Sequence, residues 1–161
     1  MASQTVKTVK DSQVEMTELV LPNDTNRLGN LLGGRLMHLM DIAGAIAAAR
    51  HTNRVCVTAS VDEMNFLHPI KQGDIVILQA SVNRVFRTSM EVGIRVVLED
   101  PLSGVRKHAN TAYFTYVALD DAGKPVPASP IRPVDKAEKR RYADAARRRQ
   151  LRLQHRKRSS P

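Results

Sequence analysis

With one cysteine and no tryptophan in 161 residues, the chain has few of the groups that staple or dominate small folds. Cys56 has no partner for an intrachain disulfide. Its setting, Val55-Cys56-Val57, reads as a small buried hydrophobe in a reducing compartment. Aromatics make up 4% of the chain against 42% hydrophobic residues, so the core must be aliphatic. No stretch approaches the ~20 apolar residues that a membrane span needs. Lys7, Lys10, Asp11 and Glu15 interrupt the amino terminus, which lacks the apolar block of a secretion signal. A cytoplasmic protein is expected. The histidines His38, His51, His68, His108 and His155 lack metal-ligand spacing, and neither they nor any Ser or Cys fall into a triad motif. No metal and no cofactor are expected.

Acidic residues are also few, and the net charge is +9. Eleven of the 25 Lys+Arg and two of the 16 Asp+Glu lie in 136–161, which leaves fourteen of each elsewhere. The excess therefore belongs to the tail, and the body need not engage a polyanion. Three readings of the tail stand: a solvated helix, a steering surface for an anionic substrate, or a site for nucleic acid or anionic membrane. The body has no nucleic-acid motif and few aromatics, so the first two are favoured and no specific nucleic-acid partner is expected.

The length suits one domain. Residues 1–12 are polar and expected to be flexible. Gln13 to Leu21 alternates as a strand and ends at Pro22-Asn23-Asp24. From Gly34 to Arg50, Leu36, Met37, Met40, Ala43, Ile46 and Ala47 recur at helical spacing. This helix is apolar nearly all round, which points to a wrapped, central element. Runs rich in β-branched residues follow at Val55–Val61, Asp74–Phe86, Met90–Leu98 and Arg106–Leu119, the last three joined by short turns. Strand, helix, then four strands is best satisfied by a five-stranded antiparallel sheet curled around one long helix, an α+β roll of the hotdog type. The core domain is thus 13–124. Residues 125–135, with four prolines, read as a stiff linker, and 136–161 as a basic helical tail capped by Asp135.

The richest stretch runs from Asn23 to Gly34 and on into the helix carrying Asp41. A helix start presents unpaired N–H groups and a positive dipole end, and Gly33-Gly34 would let a carbonyl or oxyanion approach them. Taken alone, the pair is equally a tight turn into a helix. Asp41 stands among Leu39, Met40, Ile42 and Ala43, where a carboxylate needs either a job or a solvent-facing partner such as His38. At roughly 1.5 Å per residue, Asp41 lies about 10 Å along the helix from Gly34. One side chain does not span that distance comfortably. A second helix, reversed by a two-fold axis, would bring the glycines of one subunit to Asp41 of another.

These residues carry a resemblance. Pro22-Asn23-Asp24-Thr25-Asn26, Gly29-Asn30, Gly33-Gly34, Leu39-Met40-Asp41, Ala43-Gly44, Val61-Asp62-Glu63-Met64-Asn65-Phe66 and Phe114-Thr115-Tyr116-Val117 together resemble the hotdog acyl-CoA thioesterases, in particular the acyl-CoA hydrolases that include the YciA-type enzymes and the brain acyl-CoA hydrolase. The likeness runs from about residue 14 to 145 and takes in Arg140-Arg141-Tyr142. It implies hydrolysis of acyl-CoA to free acid and coenzyme A, with coenzyme A as part of the substrate. Asp41 would be the catalytic aspartate, and Asn30 the polar residue supplied by the opposing subunit. The amides of Gly33 and Gly34 would hold the thioester carbonyl. The turn Arg87-Thr88-Ser89 would meet the nucleotide end of coenzyme A. It also implies a homodimer, often a trimer of dimers.

Asp41 suits either a general base or a nucleophile forming a mixed anhydride. Asn65 is read as a hydrogen-bonding residue near the site, grouped with the coenzyme A contacts, with a structural role equally open. Two rival functions remain: a non-catalytic acyl-CoA-binding regulatory protein, and a nucleic-acid module acting through the tail.

Overall fold

The computed structural model describes residues 5–159. Along the chain run β1 (Lys7–Thr8), β2 (Val14–Leu19), α1 (Gly33–Thr52), β3 (Val55–Val61), β4 (Ile75–Val85), β5 (Ser89–Glu99), β6 (Arg106–Leu119), β7 (Ile131–Arg132) and α2 (Lys136–Ser159). Strict alternation builds the sheet. Val76, Leu78, Ala80 and Val82 of β4 and Met90, Val92, Ile94 and Val96 of β5 are all buried, as every second residue on one face must be. The strands pair antiparallel in the order β2-β4-β5-β6-β3. Register slips at Thr58/Ser60, Val82/Arg84 and Val96/Val97 help the sheet curl. The expected α+β hotdog architecture is what forms.

The concave face packs on α1 through Leu36, Leu39, Met40, Ala43, Ala47 and Ala48. Small residues at 43, 44, 47 and 48 let helix and sheet approach closely. The expected wrapping is one-sided, however. Met37, Ile42 and Ile46 on the other flank remain exposed, as do Val55, Val57 and Val61 of the edge strand β3. The helix ends at Asn53 in a left-handed conformation, φ 52°. Lys7 Nζ donates to Arg50 O and to Asn53 Oδ1 there, placing a cation at the negative end of the helix dipole.

The amino-terminal segment is accordingly not loose over residues 7–12. Residues 1–4 lie outside the described residues, but β1 pairs in parallel with β7, and Val9 and Ser12 are buried. The proline-rich stretch is likewise packed. Ala128 and Ile131 are buried, Ala128 N–H donates to Arg87 O, and His51 on α1 meets Ser129 O at 2.7 Å. Sequence alone missed both because prolines and short polar segments carry no periodicity that would reveal such docking.

Asp135 caps α2, its Oδ1 accepting from Glu138 N–H at 2.8 Å. The helix is not a free basic rod. Glu91 points outward from β5 yet has no exposed surface. It accepts from Arg148 Nη2 at 2.7 Å, Arg152 Nη1 at 3.2 Å and Asn83 Nδ2 at 3.0 Å. Arg152 also reaches Asp62 at 2.8 Å. Burial raises the Asp62 carboxyl above its usual range, against the pull of Arg152. Arg148 stacks on Tyr113, and Arg149 on Phe86. Three arginines that looked solvated in the sequence are thus bound to the convex face.

Replacing Glu91 by Ala leaves two half-buried guanidiniums facing a void. A loss of ~3 kcal/mol is expected, visible as a lower Tm and faster proteolysis within α2. A second expectation concerns His51. The ring is neutral and donates through Nε2–H, and burial holds its pKa below the usual 6.5. The unfolded chain therefore takes up a proton first as pH falls. Stability from this site is full above about 6.5 and declines below it. Thermal melts between neutral and mildly acidic pH should show the decline, and His51→Gln, which can still donate to Ser129, should flatten it.

Candidate functional site

The turn before α1 is organised by one side chain. Asn26 Oδ1 accepts from Leu28 N–H at 2.9 Å and Asn30 N–H at 3.2 Å, while Asn26 N–H donates to Asn30 O at 2.8 Å. Gly29, at φ 75°, makes the tight return possible. Leu32 N–H then donates to Asp24 O, and Leu36 N–H to Leu32 O. No side chain caps the helix, and among the described residues no acceptor is found for the amides of Gly33 and Gly34. The two glycines thus present free N–H groups, the arrangement needed to receive a carbonyl oxygen. A Cβ at position 33 would stand 3.5 Å from the Phe66 ring, so the segment carrying Phe66 lies over this end of the helix. Within it, Asn65 Nδ2 donates to Glu63 Oε1 at 3.4 Å, and Asn110 Nδ2 donates to Asn65 O at 3.0 Å.

Asp41 sits two turns further on, half-buried, and is held by side chains from two strands. Thr58 on β3 donates to its Oδ1 at 2.6 Å, and Tyr116 on β6 to the same oxygen at 3.0 Å. Tyr116 also reaches the backbone oxygen of Asp41 at 2.9 Å. Thr58 and Tyr116 are register partners, so one rung of the sheet delivers both hydroxyls. Burial, reinforced by the Asp41 charge, pushes the Tyr116 phenol far up, and it stays a donor. Oδ2 of Asp41 has no partner among the described residues.

No hydrogen bond joins Asp41 to Asn30, Gly33 or Gly34 of its own chain. The Arg87-Thr88-Ser89 turn closes the β4–β5 hairpin. Its Ser89 pairs with Val117, which pairs with Val57, so the turn lies two strands across the sheet from Thr58. Arg87 is exposed, and Arg149 Nη1 donates to Ser89 Oγ at 3.3 Å. Sequence reasoning missed Thr58 and Tyr116 as Asp41's partners. A signal for Tyr116 was present. Phe114, Tyr116 and Ala118 share the buried phase of β6, where a phenol must find an acceptor. Thr58 lies on an edge strand whose exposure hides its inward turn.

Known proteins match this sequence and fold. The pattern described as the thioesterase superfamily matches residues 28–105. YkhA of Bacillus subtilis, named as an uncharacterized acyl-CoA thioester hydrolase, is 45% identical over 129 residues, covering 80% of this chain and 75% of that one. The acyl-CoA hydrolase of Staphylococcus aureus, solved with butyryl coenzyme A, coenzyme A and coenzyme A disulfide, superposes with a TM-score of 0.90 at 37% identity, over 96% of this chain and 94% of that one. The same enzyme has been solved with an asparagine, an aspartate or a threonine changed to alanine, the aspartate 15 residues after the asparagine and 17 before the threonine. An apo-hexameric acyl-CoA thioesterase superposes with a TM-score of 0.88 at 37% identity, over 93% and 97% of the two chains. On this likeness of sequence and fold, the chain belongs to the acyl-CoA thioester hydrolases of the thioesterase superfamily.

Proposed function

We propose that the protein hydrolyses acyl-CoA to a free fatty acid and coenzyme A, with Asp41 as general base in a site completed by a second subunit. The carrying observation is the state of the Asp41 carboxylate. One oxygen is tied by two hydroxyls and the other is left for a water. In this scheme Oδ2 takes a proton from that water as its oxygen attacks the thioester carbon. Amides of Gly33 and Gly34 stabilise the carbonyl oxygen as it gains charge. The C–S bond then breaks, and the sulfur leaves as thiolate and takes up a proton. The scheme draws on no cofactor. Coenzyme A enters within the substrate and leaves as product.

The polar partner at the glycine end is best assigned to Asn26. Asn26, Asp41 and Thr58 repeat the residue types and the 15- and 17-residue spacing of the three positions changed to alanine in the Staphylococcus aureus enzyme. Asn26 spends its carbonyl oxygen on the turn and keeps its NH2 donors for a ligand. Asn30, the position the family resemblance points to, contributes its backbone to the same turn. Arg87, exposed at the hairpin end, supplies charge for the phosphates of coenzyme A, with Thr88 and Ser89 beside it.

The helical rise supports a second subunit. The free amides and Asp41 are about 10 Å apart along one helix. The exposed flank of α1 and the open edge of β3 offer apolar surface for a two-fold partner, Val55 being 69% exposed. Further assembly into a hexamer is consistent with the hexameric relative. Cytosolic placement belongs to the same proposal, since the lone thiol Cys56 suits a reducing compartment.

Asp41→Ala should lower kcat by at least about a thousandfold, on the scale of removing a catalytic base and its electrostatic partner, with assembly unchanged by sedimentation. Mixing Asp41→Ala with Asn26→Ala after denaturation and refolding should restore up to about a quarter of wild-type activity, because one site in two of each heterodimer is intact. Failure of the mixture to recover activity would sink the shared site. A single turnover in heavy-oxygen water should label the product acid and not Asp41. Label in Asp41 would mean a nucleophile.

A further inference from the structure

We infer that Tyr116 is a positioning residue for thioester hydrolysis. Its phenol fastens the Asp41 side chain to the Asp41 backbone and aims the free carboxylate oxygen at the water. The inference rests on the reading of Asp41 as catalytic base and deepens it.

Tyr116 has no exposed surface. A buried phenol that did not need its hydroxyl would be served as well by Phe. The ring already has its apolar company, stacked on Phe114 with centroids 6.3 Å apart. The oxygen lies 2.9 Å from Asp41 O and 3.0 Å from Asp41 Oδ1, with the Thr58 hydroxyl as its other polar neighbour. Its single O–H, shared between two oxygens of one residue, fixes the carboxylate relative to the helix axis in a way that a contact to one oxygen does not. Thr58, the other donor, comes from edge strand β3, one residue before its register slip. Tyr116 comes from β6, which is paired on both sides. Tyr116 is therefore the firmer anchor. The helix makes room for it, since a Cβ on Gly44 would collide with the hydroxyl and lie 2.9 Å from ring carbons. Glycine is thus required at position 44 for the phenol to reach Asp41.

The test compares Tyr116→Phe, Thr58→Val and Asp41→Ala as full-length, assembled enzymes in hydrolysis of one acyl-CoA, with kcat, KM and Tm measured for each. Tyr116→Phe keeps the ring and loses only the hydrogen bonds. It should lower kcat about tenfold or more, the scale of a hydrogen bond to a charged group, with KM within about twofold and Tm within a few degrees. Thr58→Val should retain clearly more turnover than Asp41→Ala, because Tyr116 still holds the oxygen. A Tyr116→Phe enzyme with wild-type kcat overturns the inference, as does a kcat loss matched by the fraction unfolded. A Thr58→Val enzyme as inactive as Asp41→Ala also overturns it, and that arm decides the matter if Tyr116→Phe does not fold. These failures leave the proposed function standing so long as Asp41→Ala is inactive. Undiminished turnover in Asp41→Ala would instead remove the proposed function itself.

Discussion

The close approach of α1 to the sheet at Gly44 and Tyr116 is the constraint on which the site depends. A single long helix must bury one face in the concavity of a five-stranded sheet, and its small residues set how near the two can come. At Gly44 the separation is short enough for a phenol on β6 to reach past the helix surface to its backbone. Asp41 is then held by the sheet as well as by its own helix. A larger residue at 44 would move the ring, and the carboxylate would lose its fixed direction. The direction of the Asp41 carboxylate is here a consequence of packing distance.

The convex face solves a different problem. Glu91 is a fully buried carboxylate, which costs several kcal/mol to desolvate unless it is surrounded by donors. Two arginines and an asparagine surround it, and Gly93 lacks the Cβ that would press on the Asn83 amide at 2.8 Å. Such a cluster adds little net stability over an apolar contact. It does specify where α2 lies, because only one rotation and register of the helix brings Arg148 and Arg152 to Glu91 and Asp62 together. The charge excess of the tail is in part a docking device. Its position also places Arg149 beside the turn assigned to the nucleotide end of coenzyme A.

Much of this was legible in the residues, for identifiable reasons. The strands of the sheet and α1 announce themselves by period, α2 by its composition and its Asp135 cap, and the observed α1, Gly33–Thr52, extends the expected Gly34–Arg50 by one residue at the start and two at the end. Asp41 stood out because a carboxylate in an apolar helix breaks its pattern. Thr58 did not, since threonine on a β-branched strand is ordinary. Asn26 was hidden among turn formers, where asparagine is expected on conformational grounds alone. The docking of residues 7–12 and 125–135 depends on backbone pairing and single hydrogen bonds such as His51 to Ser129, which leave no periodic trace. Arginines 148, 149 and 152 were counted as net charge, whereas their role is set by which face of α2 meets the sheet.

The proposed site has both its halves, the glycine amides and Asp41, on one helix. The rise between Gly34 and Asp41 is fixed by backbone hydrogen bonds, so no side-chain motion can close the gap within a chain. A two-fold partner would close it twice over, since each helix would donate its amides to the other and receive a carboxylate from it. Under that arrangement a lone subunit is incomplete in its chemistry while complete in its fold. Its exposed flank of α1 and unpaired edge of β3 are then the same surface seen from two requirements. One is the need to cover apolar side chains and free strand groups. The other is the need to bring Asp41 to the amides of Gly33 and Gly34. Assembly and activity would then rise together with protein concentration, because the contact that would bury Met37, Ile42 and Ile46 would also build the site.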